Sequence, residues 1–192
     1  MTFAFHICVD MQRMFAEDTE WHAPWMARVA PAVTALAEAH PSRTVFTRFI
    51  PPARPEESMG AWEDYYRHWR SMTREALHPE LLDLLPALQR LVPPARIFDK
   101  PVYSPWHGGR LHEGLRRQGV RTLVVTGGET EVCVLATVLG ALDLGYRIVL
   151  PIDALCSSAD ETHDAMIRIY ESRFGLQVIT TTTDVLLAGW PD

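Results

Sequence analysis

Between Arg121 and Leu142 the sequence switches from one hydrophobic period to another. Arg121-Thr122-Leu123-Val124-Val125 reads as a buried β-strand, and Leu135, Val138, Leu139 and Leu142 recur at helical spacing. Thr126-Gly127-Gly128-Glu129-Thr130-Glu131-Val132 joins the two, so a helix begins with Cys133 in or near its first turn. The unpaired N–H groups and positive dipole end of a helix stabilise a thiolate. Cys133 is therefore a candidate nucleophile.

The same alternation runs through the chain. Residues 3–9 are apolar apart from His6 and predict a central strand buried on both faces. A helix is expected over 24–39, with Val29, Val33 and Leu36 on its apolar face, then a strand over 44–49. Pro51, Pro52 and Pro55 enforce an extended loop. Trp62, Tyr65, Tyr66, Arg67, Trp69 and Arg70 crowd into one segment predicted to be helical, and a short helix interrupted near Pro86 follows. Further strands are expected over 96–99, 147–150 and 177–180, and helices over 109–118, 158–174 and 183–187. Ser158-Ala159-Asp160-Glu161 has the pattern of a capping box. Strands alternating with helices through right-handed crossovers predict a three-layer α/β/α fold with a mainly parallel sheet of about six strands. No repeat, low-complexity tract or linker divides residues 1–192, so one domain is expected.

Composition excludes several function classes. The formal net charge of −6, with no cluster of Lys and Arg, gives no electrostatic footprint for nucleic acid. The start has no basic region and soon meets Asp10, unlike a signal peptide. The longest apolar stretch, 132–142, is too short to span a bilayer. Cys8, Cys133 and Cys156 are odd in number and widely spaced, which is no disulfide framework. A soluble cytoplasmic protein is the expectation. Lys100 is the only lysine, which makes its position informative.

Ligands of open parallel sheets bind at the carboxyl ends of the strands. Asp10, Lys100 and Cys133 each follow a predicted strand, so the architecture brings all three to one edge. Their chemistry is complementary. Cysteine attacks a carbonyl as the thiolate. Asp10 can take the thiol proton and return it to a leaving amine, and Lys100 can stabilise the thiolate and orient the carboxylate. Backbone N–H groups from Glu129 to Cys133 can receive an oxyanion. Taken singly, each side chain has an ordinary structural reading: Asp10 as a turn or cap, Lys100 as the ion-pair partner of Asp99, Cys133 as a small core residue. Their common edge favours acyl transfer to water.

Three spaced motifs then acquire a family likeness. Val9-Asp10-Met11-Gln12, Lys100-Pro101-Val102-Tyr103-Ser104 and Gly127-Gly128-Glu129-Thr130-Glu131-Val132-Cys133-Val134 occur in that order, with Ala136-Thr137, Gly145-Tyr146 and Asp153-Ala154 downstream. With these motifs the chain resembles the isochorismatase-like cysteine hydrolases, which include nicotinamidases, N-carbamoylsarcosine amidases and biuret-type amidohydrolases. The resemblance spans nearly the whole length. It implies hydrolysis of a C–N bond in a small amide or ureide through a thioester. Cys133 would be the nucleophile, Asp10 the general base and acid, Lys100 the electrostatic stabiliser, and the N–H groups of Glu129 and Cys133 the oxyanion hole. It also implies a cis Gly128–Glu129 peptide and a homo-oligomer, dimer or tetramer.

Two departures qualify the likeness. Nicotinamidases of this superfamily carry an Asp-x-His pattern and a further histidine after the second strand, where this chain reads Thr47-Arg48-Phe49-Ile50-Pro51. The eight histidines contain no His-x-His or His-x-x-x-His spacing, so no metal and no cofactor are expected. The alternatives kept are a metal-dependent nicotinamidase-like amidase and a non-catalytic binding or interaction member. Glu129 stands where a small or aliphatic residue is common. Its carboxylate either enters the pocket, favouring substrates with N–H donors or positive charge, or faces solvent or another subunit.

Gln12, Arg48, Trp106 and His107 complete the candidate substrate contacts. Gln12 either meets the site or ties down its loop. The segment from Trp62 to Arg70 is either a lid, with Arg48, Arg67 or Arg70 holding a substrate oxygen, or a packed helix or subunit contact. Cys8 and Cys156 are expected to be structural, Cys156 in a loop.

Overall fold

In the computed structural model, which describes residues 4–190, the apolar run Ala4–Val9 forms β1 and is buried along its whole length. Phe3, expected to open that strand, lies outside the described residues. Helices α1 (Arg13–Ala16) and α2 (Trp25–Ala39) lead to β2 (Thr44–Phe49). The long connection to β3 (Arg96–Lys100) contains α3 (Ala61–His68) and α4 (Pro86–Gln89). Next come α5 (Arg110–Arg117), β4 (Thr122–Gly128), α6 (Cys133–Asp143) and β5 (Arg147–Pro151). A two-residue strand β6 (Leu155–Cys156) precedes α7 (Asp160–Arg173), β7 (Val178–Thr181) and α8 (Thr183–Gly189).

The strand order is β3-β2-β1-β4-β5-β7, with β6 paired to β4, and every strand pairing is parallel. Among the described residues the sheet thus has seven strands, where the sequence predicts about six. The difference is β6. Once β5 diverges from β4 beyond Val124↔Val149, the chain makes a short turn and pairs again at Gly127↔Leu155 and Gly128↔Cys156. Two residues carry no detectable period, so Cys156 reads as loop although it lies in a strand.

Helices cover both faces, which explains the unbroken apolar runs in β1 and β4. Ile7, Val9, Leu123 and Val125 pack with Val134 and Val138 of α6 and with Tyr170 of α7. Cys8, Phe46 and Val124 pack with Met26, Val29, Val33 and Leu36 of α2 and with Leu186 of α8. Adjacent residues of β4 face opposite layers, as the pleat requires. A third cluster joins Met14, Phe49, Tyr66, Met72 and Leu77.

Three local features bear on the site. Gly127 has φ 100, and a Cβ there would lie 2.1 Å from the Val9 carbonyl oxygen, so only glycine fits where β4 passes β1. His6, fully buried in β1, hydrogen-bonds Thr44 Oγ1 at 3.3 Å and Thr126 Oγ1 at 2.8 Å. Burial, reinforced by His40, lowers its pKa to about 3. The expected capping box does not form: Ala159 is the N-cap of α7, without a side-chain cap, and the Ser158 N–H donates to Glu129 instead.

Candidate active site

Asp10, Lys100 and Cys133 come from the ends of β1 and β3 and from the first residue of α6. Since β2 separates β1 from β3, Lys100 must reach across the end of β2. Its four-carbon stem makes that possible. Lys100 Nζ lies 2.7 Å from Asp10 Oδ2, 3.5 Å from Cys133 Sγ and 3.2 Å from the Val102 carbonyl oxygen. The ammonium also stands 5.1 Å from the centroid of Phe49. Asp10 and Lys100 are both 1% exposed, and Cys133 is 7% exposed. Lys100 does not pair with Asp99, which is bound by the Arg48 fork at 2.8 and 2.9 Å.

Asp10 occupies the left-handed region with φ 51, a conformation that aspartate tolerates better than most residues. Its N–H donates to the Thr47 carbonyl at 3.2 Å, and the Thr47 hydroxyl donates to its Oδ1 at 2.5 Å. Each carboxylate oxygen therefore has its own donor. Thr47 was not among the expected site residues. The strand also carries Thr44 and Arg48, so polarity alone does not single Thr47 out.

Burial raises the Cys133 thiol and Asp10 raises it further, while Lys100 opposes both. Burial alone would discharge Lys100, but Asp10 and Cys133 outweigh it and raise its pKa. Burial thus works against the Cys133 thiolate, and the nearby Lys100 ammonium works in its favour.

The nucleophile loop is fixed by bonds on several sides. The Gly128–Glu129 peptide is cis. The Glu129 carbonyl receives the N–H groups of Val132 and Val134, each at 3.0 Å. Thr130 is tied to the Cys156 carbonyl by its N–H at 2.9 Å and its hydroxyl at 3.1 Å, to His163 Nδ1 at 2.9 Å and to Tyr170 Oη at 3.2 Å. Among the described residues the N–H groups of Glu129 and Cys133 donate to no other group.

Cys133 opens onto a cavity of about 390 Å³ whose wall is largely aromatic, including Phe15, Trp21, Phe49, Tyr65, Trp69 and Tyr103. Glu129 also lines it, with Oε1 accepting the Ser158 N–H at 2.9 Å. A larger cavity of about 840 Å³ opens beside the amino ends of β4 and β5, lined by residues such as Arg121 and Arg147, and none of Asp10, Lys100 and Cys133 borders it.

Four expected substrate contacts do not line the cavity beside Cys133. Gln12 is fully buried and spends its amide on backbone: Oε1 accepts Phe49 N–H at 2.6 Å, and Nε2 donates to the carbonyls of Phe49 and Leu82. Arg48 points to Asp99 and Asp83. Trp106 packs on α6, donating to the Thr137 carbonyl at 2.8 Å and stacking on Tyr146. His107 is exposed to solvent. The aromatic residues of the 62–70 segment do reach the cavity, through Tyr65 and Trp69, while Arg67 pairs with Glu63 and Asp64. Phe15, on the four-residue α1, and Trp21, in the turn after it, were missed because neither stretch is long enough to show a period. Among the described residues no group of three or more His, Cys, Asp or Glu side chains is placed to hold a metal ion, so a metal centre does not fit this donor set.

Comparison with known proteins places the geometry. The isochorismatase domain profile matches residues 4–183. The chain belongs to the isochorismatase family.

Within the family it is 34% identical over 76 residues to an uncharacterized isochorismatase family protein of Bacillus subtilis, covering 40% of each chain. It is 32% identical over 72 residues to nicotinamidase 3 of Arabidopsis thaliana, covering 38% of this chain and 36% of that one. The chain thus aligns with well under half the length of these curated relatives. Among solved structures, a cysteine hydrolase from Pseudomonas syringae superposes with TM-score 0.81 at 23% identity, covering 96% of this chain and 91% of that one. N-carbamoylsarcosine amidase from Thermoplasma acidophilum gives TM-score 0.75 at 19% identity, covering 94% and 96%. At such identities the likeness is one of fold. Among the described residues no helix is long and apolar enough to cross a membrane.

Proposed function

We propose that this isochorismatase-family protein is a metal-independent cysteine hydrolase that cleaves a C–N bond of a small amide or ureide through a thioester. The observation that carries the reading is the single ammonium of Lys100, 2.7 Å from Asp10 and 3.5 Å from a sulfur that opens onto a cavity. Asp10 takes the Cys133 proton as the sulfur attacks the carbonyl carbon. The carbonyl electron pair moves to oxygen and is received by the N–H groups of Glu129 and Cys133. Collapse breaks the C–N bond, and the leaving nitrogen takes the proton from Asp10. Water then attacks the thioester and gives a proton to Asp10. The C–S bond breaks, sulfur recovers that proton, and a carboxylic or carbamic acid departs. Lys100 stays charged throughout and holds Asp10 in place.

The burial that works against the Cys133 thiolate supports this order, because a base must act before sulfur is nucleophilic. Three free cysteines, all buried, support a reducing compartment such as the cytoplasm. Leu176, Ile179 and Val185, exposed on and around β7, offer apolar surface to a dimer or tetramer.

A panel of amides, carbamoyl amino acids and ureides assayed for ammonia release tests the reading. Cys133→Ala should keep its circular dichroism and lose activity by at least about 1,000-fold. Turnover by Cys133→Ala at the wild-type rate would sink the mechanism. Iodoacetamide should alkylate Cys133 stoichiometrically, and Asp10→Asn should suppress that reaction.

A further inference from the structure

Charge and ring faces around the catalytic cavity carry a narrower conclusion. The cavity beside Cys133 is walled by six rings, with Trp21 at their centre: Phe49, Tyr65, Phe15 and Trp69 stand 5.8, 5.9, 6.1 and 6.4 Å from it. Two carboxylates, Glu20 and Glu129, share the wall with the imidazole of His22, and no Arg or Lys among the described residues lines it. Each carboxylate has one oxygen engaged, Glu20 by the Ser71 hydroxyl and Glu129 by the Ser158 N–H, and among the described residues the second oxygen accepts no hydrogen bond. Arg13, Arg48, Arg54 and Arg67 pair with other acids, while Arg28 lies over the Trp25 ring at 4.2 Å and Arg70, beside Trp69 in the chain, is exposed and does not line the cavity. Behind Cys133, Asp10 is already balanced by Lys100, so the two glutamates are the acidic groups left to bias the wall towards negative potential.

Aromatic faces present the negative side of a quadrupole, and with carboxylates beside them they attract ammonium and guanidinium groups. The same wall disfavours an anion, which would meet like charge with no counter-ion. We propose that the site selects amides or ureides carrying a positive charge, and rejects carboxylated ones. The conclusion rests on the hydrolase reading for the amide, and on the cavity alone for the charge.

Three propionamide derivatives, the first two matched in shape, separate the two. One ends in trimethylammonium, one in tert-butyl, one in carboxylate. Binding is measured first by calorimetry on Cys133→Ala, where turnover plays no part. The cation should bind at least about 10-fold tighter than its tert-butyl isostere, and the anion weakest of the three. Glu20→Gln and Trp69→Leu should each reduce the preference for the cation by about 3-fold or more, Glu20→Gln only at low salt. Equal binding of cation and isostere, or tighter binding of the anion, overturns the proposal. Turnover of the same compounds by the wild type is the second arm. Cation preference in binding with no hydrolysis of any compound upholds the pocket and defeats the hydrolase reading. Hydrolysis with no preference among the three does the reverse.

Discussion

Thr47 donates its hydroxyl to Asp10 Oδ1 at 2.5 Å, from the strand that lies between those leading to Asp10 and Lys100. Lys100 holds the other oxygen at 2.7 Å. The carboxylate is thereby aimed by one neutral and one charged donor. Thr47→Val keeps the shape and removes the neutral one. We expect kcat to fall by about 10- to 100-fold with KM little changed, the worth of a hydrogen bond to a charged group. Thr47→Ser should recover most of the loss. Steady-state kinetics on all three proteins decide it, and an unchanged kcat in the valine variant removes Thr47 from the mechanism.

The buried pair makes Lys100 structural as well as chemical. Lys100→Met leaves the Asp10 carboxylate without its counter-ion in a site 1% exposed. Breaking such a pair costs about 3–5 kcal/mol. The double variant Lys100→Met with Asp10→Asn should regain much of that stability while remaining inactive. Urea unfolding of the single and double variants provides the comparison, and additivity of the two losses contradicts the coupling.

His6 sets an acid limit on stability. Its folded pKa of about 3 lies below the unfolded value, so the unfolded chain binds the extra proton. Its contribution is fully present above the unfolded pKa and is lost as pH falls toward 3. Between pH 8 and pH 5 the loss is about 2 kcal/mol. Unfolding free energy should fall more steeply with acid in the wild type than in His6→Gln. Parallel curves would mean that His6 does not charge on unfolding.

Gly127 and Gly114 make a paired test of backbone freedom. Gly127→Ala drives a Cβ to 2.1 Å from the Val9 carbonyl oxygen at φ 100, and should cost about 3 kcal/mol or prevent folding. Gly114 lies inside α5, and a Cβ added there would meet nothing within 4 Å, so Gly114→Ala should stabilise by up to about 1 kcal/mol. Thermal melts read both, and equal shifts would refute the steric account.

Much of this was legible in the sequence, for a definable reason. In a parallel sheet, a reactive residue after a strand is assigned to the ligand edge without knowing any distance. Asp10, Lys100 and Cys133 needed nothing more. Thr47 needed the register of β2 on β1, where Cys8 faces Phe46. Of the two readings of Gln12, the structure shows the loop tie, its amide bonded to the backbone of Phe49 and Leu82. Trp106 and His107 follow the lysine motif closely, yet the chain between Pro101 and Gly109 carries them away from the cavity, with Trp106 onto α6. Sequence proximity to a catalytic residue was a poor guide to pocket membership. Strand order was a good one.

Four of the cavity's aromatic residues and the three proposed reacting groups belong to different parts of the chain. Asp10, Lys100 and Cys133 are anchored in the sheet and the helix that leaves it, whereas Phe15, Trp21, Tyr65 and Trp69 sit on α1, on α3 and in the segments beside them. Exchanging those outer segments would redirect what enters without moving the atoms that react.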